Sequence, residues 1–373
     1  MNKNSCYSDF DLVSLIRKNI LNINPYISAR IEHKEKKDSI FLDANENSFG
    51  SPFSFYNSYN RYPDPLQEKL KKKISYIKNI DSSKIFLGNG SDEIIDLIYR
   101  IFSCPGKDNV IIFPPTYGMY EVSGRIHGVN IIKIPLIKEK YQLNLKEIKK
   151  VISDSSNSFI KNKIIFICSP NNPTGNDIIK EDIKLVIKKF SGIVVIDEAY
   201  IDFSSKKSIL NEIDNFPNLI VLQTLSKSWG LAGLRIGIAI ASKAIISWMN
   251  KIKFPYNVSI NSQEIAIKAL ENKDLFFYNL KNILSEREYL KNSLKNIPII
   301  DKVYPSSSNF FLVKINSPSI HLYKYLINNK IIVRDRSKVI LCENCLRITV
   351  GTHEENECLI NNIEKYSHDR KKK

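Results

Sequence analysis

Lys227 is the residue of this sequence that most clearly suggests chemistry. It lies in the segment QTLSKSWGLAGLRIGI, shortly after the apolar run 219–222, and the same segment supplies Arg235. A lysine at the end of a strand, with hydroxyls beside it and a cation nearby, suits an amine that forms a Schiff base next to a phosphate. This is the chemistry of pyridoxal 5′-phosphate (PLP). A solvated surface lysine is the alternative, so the hypothesis depends on whether other segments supply the rest of a PLP site.

Short, continuously apolar runs alternate with helical patterns along the chain. These runs predict the strands that position this lysine. Because the runs are apolar throughout rather than alternating, they fit a sheet that is covered on both faces. Helical spacing between them favours a mostly parallel α/β sheet sandwiched by helices. The predicted strands are 85–87, 110–113, 131–134, 164–168, 193–196 and 219–222, and the clearest predicted helices are 92–102 and 180–190.

The chain length of 373 residues predicts two domains, since one hydrophobic core rarely grows to that size. After about Phe254 a long helical stretch, 262–295, leads to predicted strands near 310–313, 331–333 and 346–350. We therefore expect a smaller α+β domain after the sheet. The expected division is an N-terminal arm (1–40), a large PLP-binding domain (41–260) and a small C-terminal domain with a basic tail (261–373).

The net charge of +16 raises the alternative of a nucleic-acid partner. The lysines are spread along the chain with many isoleucines and asparagines, residues that share A/T-rich codons, so biased base composition accounts for the excess. The dense basic run 370–373 is expected to be a solvated tail. We therefore expect no nucleic-acid partner. We also expect no membrane partner, because no apolar run approaches the roughly 18 residues that span a bilayer. The polar N-terminus lacks the apolar core of a signal peptide, which favours the cytoplasm.

The cysteines and histidines predict no metal site. Six cysteines are scattered along the chain, and disulfides are not expected in the cytoplasm. Cys342 and Cys345 have metal or redox spacing, but no second pair completes a zinc site and no thioredoxin-like pattern surrounds them. The five histidines form no HExxH or related cluster.

Polar motifs follow most of the predicted strands at the point where each strand ends. In open α/β sheets, ligands bind beyond the carboxyl ends of the strands, so these motifs predict one common site. The motifs are GNGSD (88–92), PPTY (114–117), SPNNPTG (169–175), DEAY (197–200) and Ser226-Lys227.

The glycine-rich motif at 88–92 opens a predicted helix, and it suggests a phosphate site. Backbone amides at a helix N-terminus bind phosphate, and glycine allows close approach. The same sequence is equally good turn chemistry. It is neither a Walker A loop nor a dinucleotide fingerprint, which disfavours ATP and NAD.

The remaining motifs supply groups that suit a pyridine ring. Asn172 can donate a hydrogen bond to the phenolic oxygen O3′ of PLP, although a simple turn is the alternative. Asp197 can face the ring nitrogen and keep it protonated, with helix N-capping as the competing role. Tyr200 can also bond O3′. A partly desolvated Lys227 near other cations has a lowered pKa, which helps imine formation and proton transfer.

With these motifs assembled, the sequence resembles the fold-type I PLP-dependent aminotransferases, and among them the histidinol-phosphate aminotransferases. The resemblance runs over nearly the whole chain, from 24–26 to 350–351. Two local departures are Ser228-Trp229-Gly230 after the lysine and a lysine-rich N-terminal arm. The segments that carry the resemblance are LDANEN (42–47), NRYPDP (60–65), PGKD (105–108), PPTYGMY (114–120), CSPNNPTG (168–175), DEAYIDF (197–203), TLSKSWGLAGLRIG (224–237) and CLRITVGTHEEN (345–356).

The resemblance implies that Lys227 is the catalytic residue that carries PLP, with Asp197 at the ring nitrogen. It further implies that Tyr62 reaches the cofactor phosphate of a second copy, so that the active unit is a homodimer with shared active sites. The other residues expected to bind the cofactor are Gly90, Ser91, Asp92, Tyr117, Asn172, Tyr200, Thr224, Ser226 and Arg235.

The smaller domain is expected to bind the substrates. Arg347 matches the family's carboxylate-binding arginine, yet histidinol phosphate has no α-carboxylate, so its phosphate must occupy that place. A site that also accepts glutamate needs enough positive charge for a dianion. Arg334 is the expected second cation, with Tyr26 and Asn172 as hydrogen-bonding groups. Ion pairs with Asp335 or Glu354 are the alternative roles of the two arginines.

The activity implied is transfer of an amino group from L-histidinol phosphate to 2-oxoglutarate, which yields imidazole acetol phosphate and L-glutamate in histidine biosynthesis. A threonine-phosphate decarboxylase and an aromatic-amino-acid aminotransferase remain alternatives on the same scaffold. A non-enzymatic, basic RNA-binding or regulatory protein is the alternative from another class.

Overall fold

The computed structural model describes residues 10–26, 40–53, 59–154 and 161–371. The predictions for residues 1–9 and 27–39 of the N-terminal arm, and for the last two residues of the basic tail, lie outside the described residues. The described helices are α1 (Leu12–Leu15), α2 (Lys18–Leu21), α3 (Glu68–Lys78), α4 (Gly90–Phe102), α5 (Met119–Ile126), α6 (Leu145–Asp154), α7 (Lys180–Lys189), α8 (Lys243–Ile252), α9 (Ile260–Glu271), α10 (Lys273–Lys295), α11 (Ser319–Asn328) and α12 (His353–Lys371). The described strands are β1 (Ile85–Asn89), β2 (Asp108–Ile112), β3 (Asn130–Lys133), β4 (Lys161–Cys168), β5 (Ile193–Asp197), β6 (Leu219–Thr224), β7 (Ile236–Ala241), β8 (Ile300–Val303), β9 (Phe310–Ile315), β10 (Arg334–Asp335) and β11 (Cys345–Thr349).

The larger sheet has seven strands in the order β1-β7-β6-β5-β4-β2-β3. Strands β3, β2, β4, β5 and β6 are parallel to one another, whereas β7 is antiparallel to both β6 and β1. The prediction of a mostly parallel α/β sheet is therefore confirmed. Strand β7 was not predicted.

Both faces of this sheet are buried, as the continuous apolar runs require. Along β5, Val194 and Ile196 belong to one core cluster and Ile193 and Val195 to the other. Successive side chains of a strand point to opposite faces, so an all-apolar run can be stable only with a layer on each side. Helix α7 contributes to the first cluster, and α4 and α8 to the second.

The described part of the N-terminal arm packs on the second of these layers. Leu15, Ile16 and Ile20 are buried in the same cluster as α4. The backbone N–H of Arg17 donates to the carbonyl of Ile101 at the end of α4, at 2.9 Å. None of the described helices is both long and apolar enough to cross a lipid bilayer.

The second sheet is antiparallel, with the order β10-β11-β9-β8, and helices α10 to α12 cover its apolar cluster. A strand is present near the predicted position 331–333, but its predicted bounds are wrong, since β10 covers Arg334–Asp335. The chain leaves α11 through Lys330 with φ of 61°, and Ile332 stays 85% exposed, so pairing begins only at Arg334. The long helix predicted over 262–295 is two helices, because Asn272 ends α9 and caps α10 with its side chain.

Candidate active site

The topology of β1, β6 and β7 explains how the lysine segment folds back on itself. Because β7 is antiparallel to β6, the loop 225–235 leaves and re-enters the sheet at one edge, with Thr224 opposite Gly237. On the other side of β7, Asn89 pairs with Ile236, and the N–H of Gly90 donates to the carbonyl of Arg235 at 2.8 Å. The lysine segment and the glycine-rich motif therefore meet.

Hydrogen bonds join the remaining motifs at the same edge. The Tyr117 hydroxyl donates to Asp92 Oδ1 at 3.0 Å, and the Tyr120 hydroxyl donates to Asp197 Oδ2 at 2.6 Å. The Asp92 carboxylate also lies 3.8 Å from Arg235 Nη2. Motifs that follow different strands are thus in direct contact, as ligand sites of open α/β sheets require.

Lys227 lies in a tight turn, where the N–H of Gly230 donates to its carbonyl at 3.1 Å. Its Nζ is 5.7 Å from the centre of the Tyr200 ring. Burial is the main cause that lowers the pKa of Lys227, and the positive charge of Arg347 is the next. The negative charge of Asp197 acts in the opposite direction. The amine is therefore neutral at a lower pH than that of an ordinary surface lysine, and a neutral amine is the nucleophilic form.

Asp197 ends β5 and is only 4% exposed. Each carboxylate oxygen has one donor: Tyr120 at Oδ2, and the N–H of Ala199 at Oδ1 at 3.0 Å. Burial raises the pKa of Asp197 despite these bonds. The predicted alternative of helix N-capping is not found: the bond from Ala199 spans two residues, and the next described helix, the 3-10 turn Ile201–Phe203, has Tyr200 as its N-cap.

Tyr120 is a site residue that sequence reasoning missed. It lay inside the PPTYGMY segment but was given no role. It is fully buried on α5, and its ring stacks on Phe166 at 4.8 Å between ring centres. Its reach from α5 to the end of β5 is a tertiary contact, which no local pattern could reveal.

The second sheet contributes Arg347 from β11, and its Nη1 donates to Asn172 Oδ1 at 2.6 Å. With Oδ1 engaged, the Asn172 amide NH₂ is the group that can donate to a ligand. The Arg347 guanidinium also lies over the Phe310 ring at 5.3 Å, and Phe310 packs edge-on against Tyr200. These contacts place the small-domain arginine among the residues of the large sheet.

The opposite end of the site has the groups expected for phosphate. Thr224 Oγ1 accepts from the N–H of Ser226 at 3.1 Å and lies 3.0 Å from Ser226 Oγ. Gly90 has φ of +76°, and a Cβ built there would lie 2.4 Å from Arg235 Nη2. The positive φ favours glycine at the start of α4, and a side chain there would displace the Arg235 guanidinium from its present position.

Tyr62 and Tyr26 lie at the periphery. Tyr62 is 49% exposed, and its ring stacks on Tyr256 at 4.5 Å between ring centres, a contact that sequence reasoning did not anticipate. Tyr26 is 71% exposed, and no described hydrogen bond joins it to the other site residues.

Arg334 lies on β10 directly opposite Arg347 on β11. The predicted alternative of ion pairs is not found among the described residues, where no carboxylate lies within 4.0 Å of either guanidinium. Asp335 instead accepts hydrogen bonds from the N–H and the hydroxyl of Ser337.

Comparison with known proteins identifies the family of the chain. The family model described as "Aminotransferase class I and II" matches residues 38–363, and the chain belongs to that family. Within it, the chain is a member of the histidinol-phosphate aminotransferases. It is 48% identical to the histidinol-phosphate aminotransferase of Cytophaga hutchinsonii over 357 residues, which cover 96% of this chain and 99% of that protein. It is 49% identical to that of Flavobacterium psychrophilum over 354 residues, which cover 95% and 98%.

A solved structure extends the comparison to the fold. The crystal structure of the histidinol-phosphate aminotransferase from Clostridium acetobutylicum superposes with a TM-score of 0.75 at 26% identity. The match covers 83% of this chain and 91% of that one.

Proposed function

We propose that this chain transfers the amino group of L-histidinol phosphate to 2-oxoglutarate, with imidazole acetol phosphate and L-glutamate as products. The observation that carries the substrate assignment is the pair Arg334 and Arg347. The two arginines occupy facing positions on β10 and β11 and have no carboxylate partner among the described residues. Arg347 contacts Asn172 and acts on Lys227. Two guanidinium groups so placed suit a substrate that carries a phosphate dianion.

The same residues fit PLP as the cofactor. Asp197 is buried without a cation within ion-pairing distance in the described chain, so a protonated ring nitrogen would offset the cost of its charge. Gly90, Ser91, Ser226 and Arg235 would hold the phosphate, where a larger residue than glycine would close the space. When bound, PLP supplies an electron sink that weakens the C–H bond of the substrate carbon bearing the amine.

Lys227 does the proton transfer in this mechanism. Its neutral amine would attach the cofactor, and Nζ would take the proton from the substrate carbon that bears the amine and return it to the cofactor carbon C4′, on the other side of the imine nitrogen. Tyr200 and the Asn172 amide group would orient O3′, and Asp197 would keep the ring nitrogen protonated. The second half of the cycle runs the same transfers in reverse on 2-oxoglutarate.

We also propose a homodimer with shared active sites. Segment 40–53 leaves large apolar side chains exposed, among them Ile40, Leu42, Phe49 and Phe53, and Tyr62 follows it in the chain. An exposed apolar group of this size suits burial against a second copy. The domain division at residues 40 and 260 and the cytoplasmic location remain predictions from the sequence.

The activity is tested by supplying PLP-loaded protein with histidinol phosphate and 2-oxoglutarate and measuring glutamate. Threonine phosphate with carbon dioxide detection, and tyrosine or phenylalanine as amino donors, separate the rival enzymes. We expect glutamate formation with histidinol phosphate as the preferred donor and no carbon dioxide release. Carbon dioxide from threonine phosphate, or no transfer from any donor, would contradict the proposal.

Complementation tests the shared site. In the proposed dimer, each site combines Lys227 of one subunit with Tyr62 of the other. A dimer of one Lys227→Ala subunit and one Tyr62→Ala subunit therefore has both substitutions in one site and neither in the other, so it keeps one intact site. After subunit exchange, mixing the two variants should restore about a quarter of wild-type activity. Activity that stays at the sum of the separate variants would refute the shared site.

A further inference from the structure

Three arginines of the smaller sheet share one face, and one of them has no role in the account above. Arg334 and Arg347 occupy facing positions on β10 and β11. The backbone N–H of Arg336 donates to the carbonyl of Cys345 at 2.9 Å, so the pairing with β11 extends one step past β10. Because side chains alternate along an extended strand, Arg336 lies on the face of Arg334.

Asp335, the acidic residue between Arg334 and Arg336, does not neutralise this cluster. Its carboxylate accepts from the N–H of Ser337 at 2.9 Å and from the Ser337 hydroxyl at 3.0 Å. Within the described ranges, no carboxylate lies within 4.0 Å of any of the three guanidinium groups. No acidic side chain of the described chain therefore forms an ion pair with any of the three, although the nearby charge of Asp335 favours the charged form of Arg336.

Arg336 is also short of hydrogen bonds. Its Nε is buried without a hydrogen-bond partner, whereas Arg334 is exposed. Burial, followed by the charges of Arg347 and Arg334, lowers the pKa of Arg336. Like charges on neighbouring positions of a sheet are destabilising, and buried donors without acceptors are costly, so the cluster suits an anion that binds there.

The position of Arg336 connects it to the site. Burial raises the pKa of Tyr200, and the charges of Arg347 and Arg336 both act against that rise. Tyr200 in turn lies beside Lys227. Arg336 is thus close enough to act on the group that faces the catalytic amine.

We propose that Arg336 is a third guanidinium of the substrate-anion pocket and determines the preference for a phosphorylated amino donor over a carboxylate. This inference rests on the proposed function. A phosphate monoester offers three oxygens and up to two negative charges, whereas a carboxylate offers two oxygens and one charge. A third guanidinium group therefore contributes more to binding a phosphate than to binding a carboxylate.

The test compares the PLP-loaded wild type with Arg336→Gln, Arg336→Lys and, as a matched control, Lys338→Gln, which removes an exposed positive charge two residues further on. The two half-reactions are followed separately through the cofactor absorbance, with histidinol phosphate or with L-glutamate. The inhibition constant of inorganic phosphate is measured on the glutamate half-reaction. We expect Arg336→Gln to weaken histidinol phosphate and inorganic phosphate roughly tenfold or more, and glutamate by less than about threefold. Arg336→Lys should lie between, and Lys338→Gln should match the wild type.

Equal losses for both amino donors, or no loss for either, would overturn the role of Arg336 as a specificity residue. If Arg336→Gln does not fold, Arg336→Lys, which keeps the charge without the fork, decides by the same comparison. A wild type that reacts with glutamate but not with histidinol phosphate would refute the proposed function instead. In that case inhibition by inorganic phosphate still tests Arg336, because it requires only the pocket.

Discussion

Replacing Tyr120 by phenylalanine isolates the contact that supports Asp197. The change removes one hydroxyl, which donates to Asp197 Oδ2 at 2.6 Å in a fully buried setting. The ring stack on Phe166 does not depend on the hydroxyl, so the core stays filled. A hydrogen bond to a buried charged group contributes about 1.5–3 kcal/mol, and we expect Tyr120→Phe to destabilise the PLP-free protein by this amount at a pH where Asp197 is ionised.

The destabilisation should depend on pH in a direction set by Asp197. Burial raises its pKa in the folded protein, so the folded state keeps the proton to a higher pH than the unfolded state. Burial of the ionised carboxylate therefore does not reduce the stability of the folded state in acid. The reduction grows as pH rises from the ordinary pKa of aspartate toward the raised pKa of the folded state. In acid the lost bond is one between neutral groups, which contributes only about 0.5–1.5 kcal/mol.

The assay is urea unfolding of the PLP-free wild type and of Tyr120→Phe at about pH 4 and pH 8, with the pair repeated in an Asp197→Asn background. The difference between the two proteins should be larger at pH 8, and it should shrink in the Asn background. A difference that is equal at both pH values, or that survives Asp197→Asn undiminished, would refute the reasoning that Tyr120 stabilises a buried carboxylate.

The remaining predictions concern the phosphate end, the catalytic amine and a buried lysine. Gly90→Ala should weaken PLP binding at least tenfold in equilibrium dialysis, because its Cβ would lie 2.4 Å from Arg235 Nη2 at φ of +76°; Gly118→Ala, with open space around it, is the control and should bind normally. Arg347→Met should raise the pKa of Lys227 by removing a repulsive charge, so the pH midpoint for the rate of PLP attachment should move upward, and an unchanged midpoint would count against that coupling. Burial lowers the pKa of Lys71 to about 8 from 10.5, so the cost of its charge is full below about pH 8 and fades toward pH 10.5. Lys71→Met should therefore stabilise the protein by about 1–3 kcal/mol at pH 7 and by less at pH 9.5 in urea unfolding, and a gain that does not decline would be inconsistent with this sign.

The sequence predicts the larger sheet well because its strands are buried on both faces. An all-apolar run such as IVVI in β5 has few other uses in a chain of this composition. Strand β7 escaped prediction because it follows β6 through a loop rather than a helix, which breaks the alternation used to find the others. Strand β8, Ile300–Val303, has only four residues, and its two charged residues are adjacent, so it shows neither an apolar run nor an alternation.

The residues of the site also fall into two groups, those that a local sequence pattern predicts and those that it does not. Residues at strand ends, such as Asn172 and Asp197, can be found from their position in the pattern, since parallel strands present their carboxyl ends at one edge. Tyr120 and Arg336 could not be found that way. Tyr120 acts from a helix that lies over the sheet, and the role of Arg336 depends on the pairing of β10 with β11 and on the unpaired charges around it.

The central claim is that Lys227, alone among the many lysines of this chain, carries PLP. Borohydride reduction of the PLP-loaded protein makes that bond permanent, and peptide mass mapping then locates it. We predict a single reduced PLP adduct on the peptide that contains Lys227, with no adduct and no yellow colour in Lys227→Ala, while Lys206→Ala, a change at an exposed lysine, should behave like the wild type. An adduct on another lysine, or a coloured and active Lys227→Ala protein, would contradict the account.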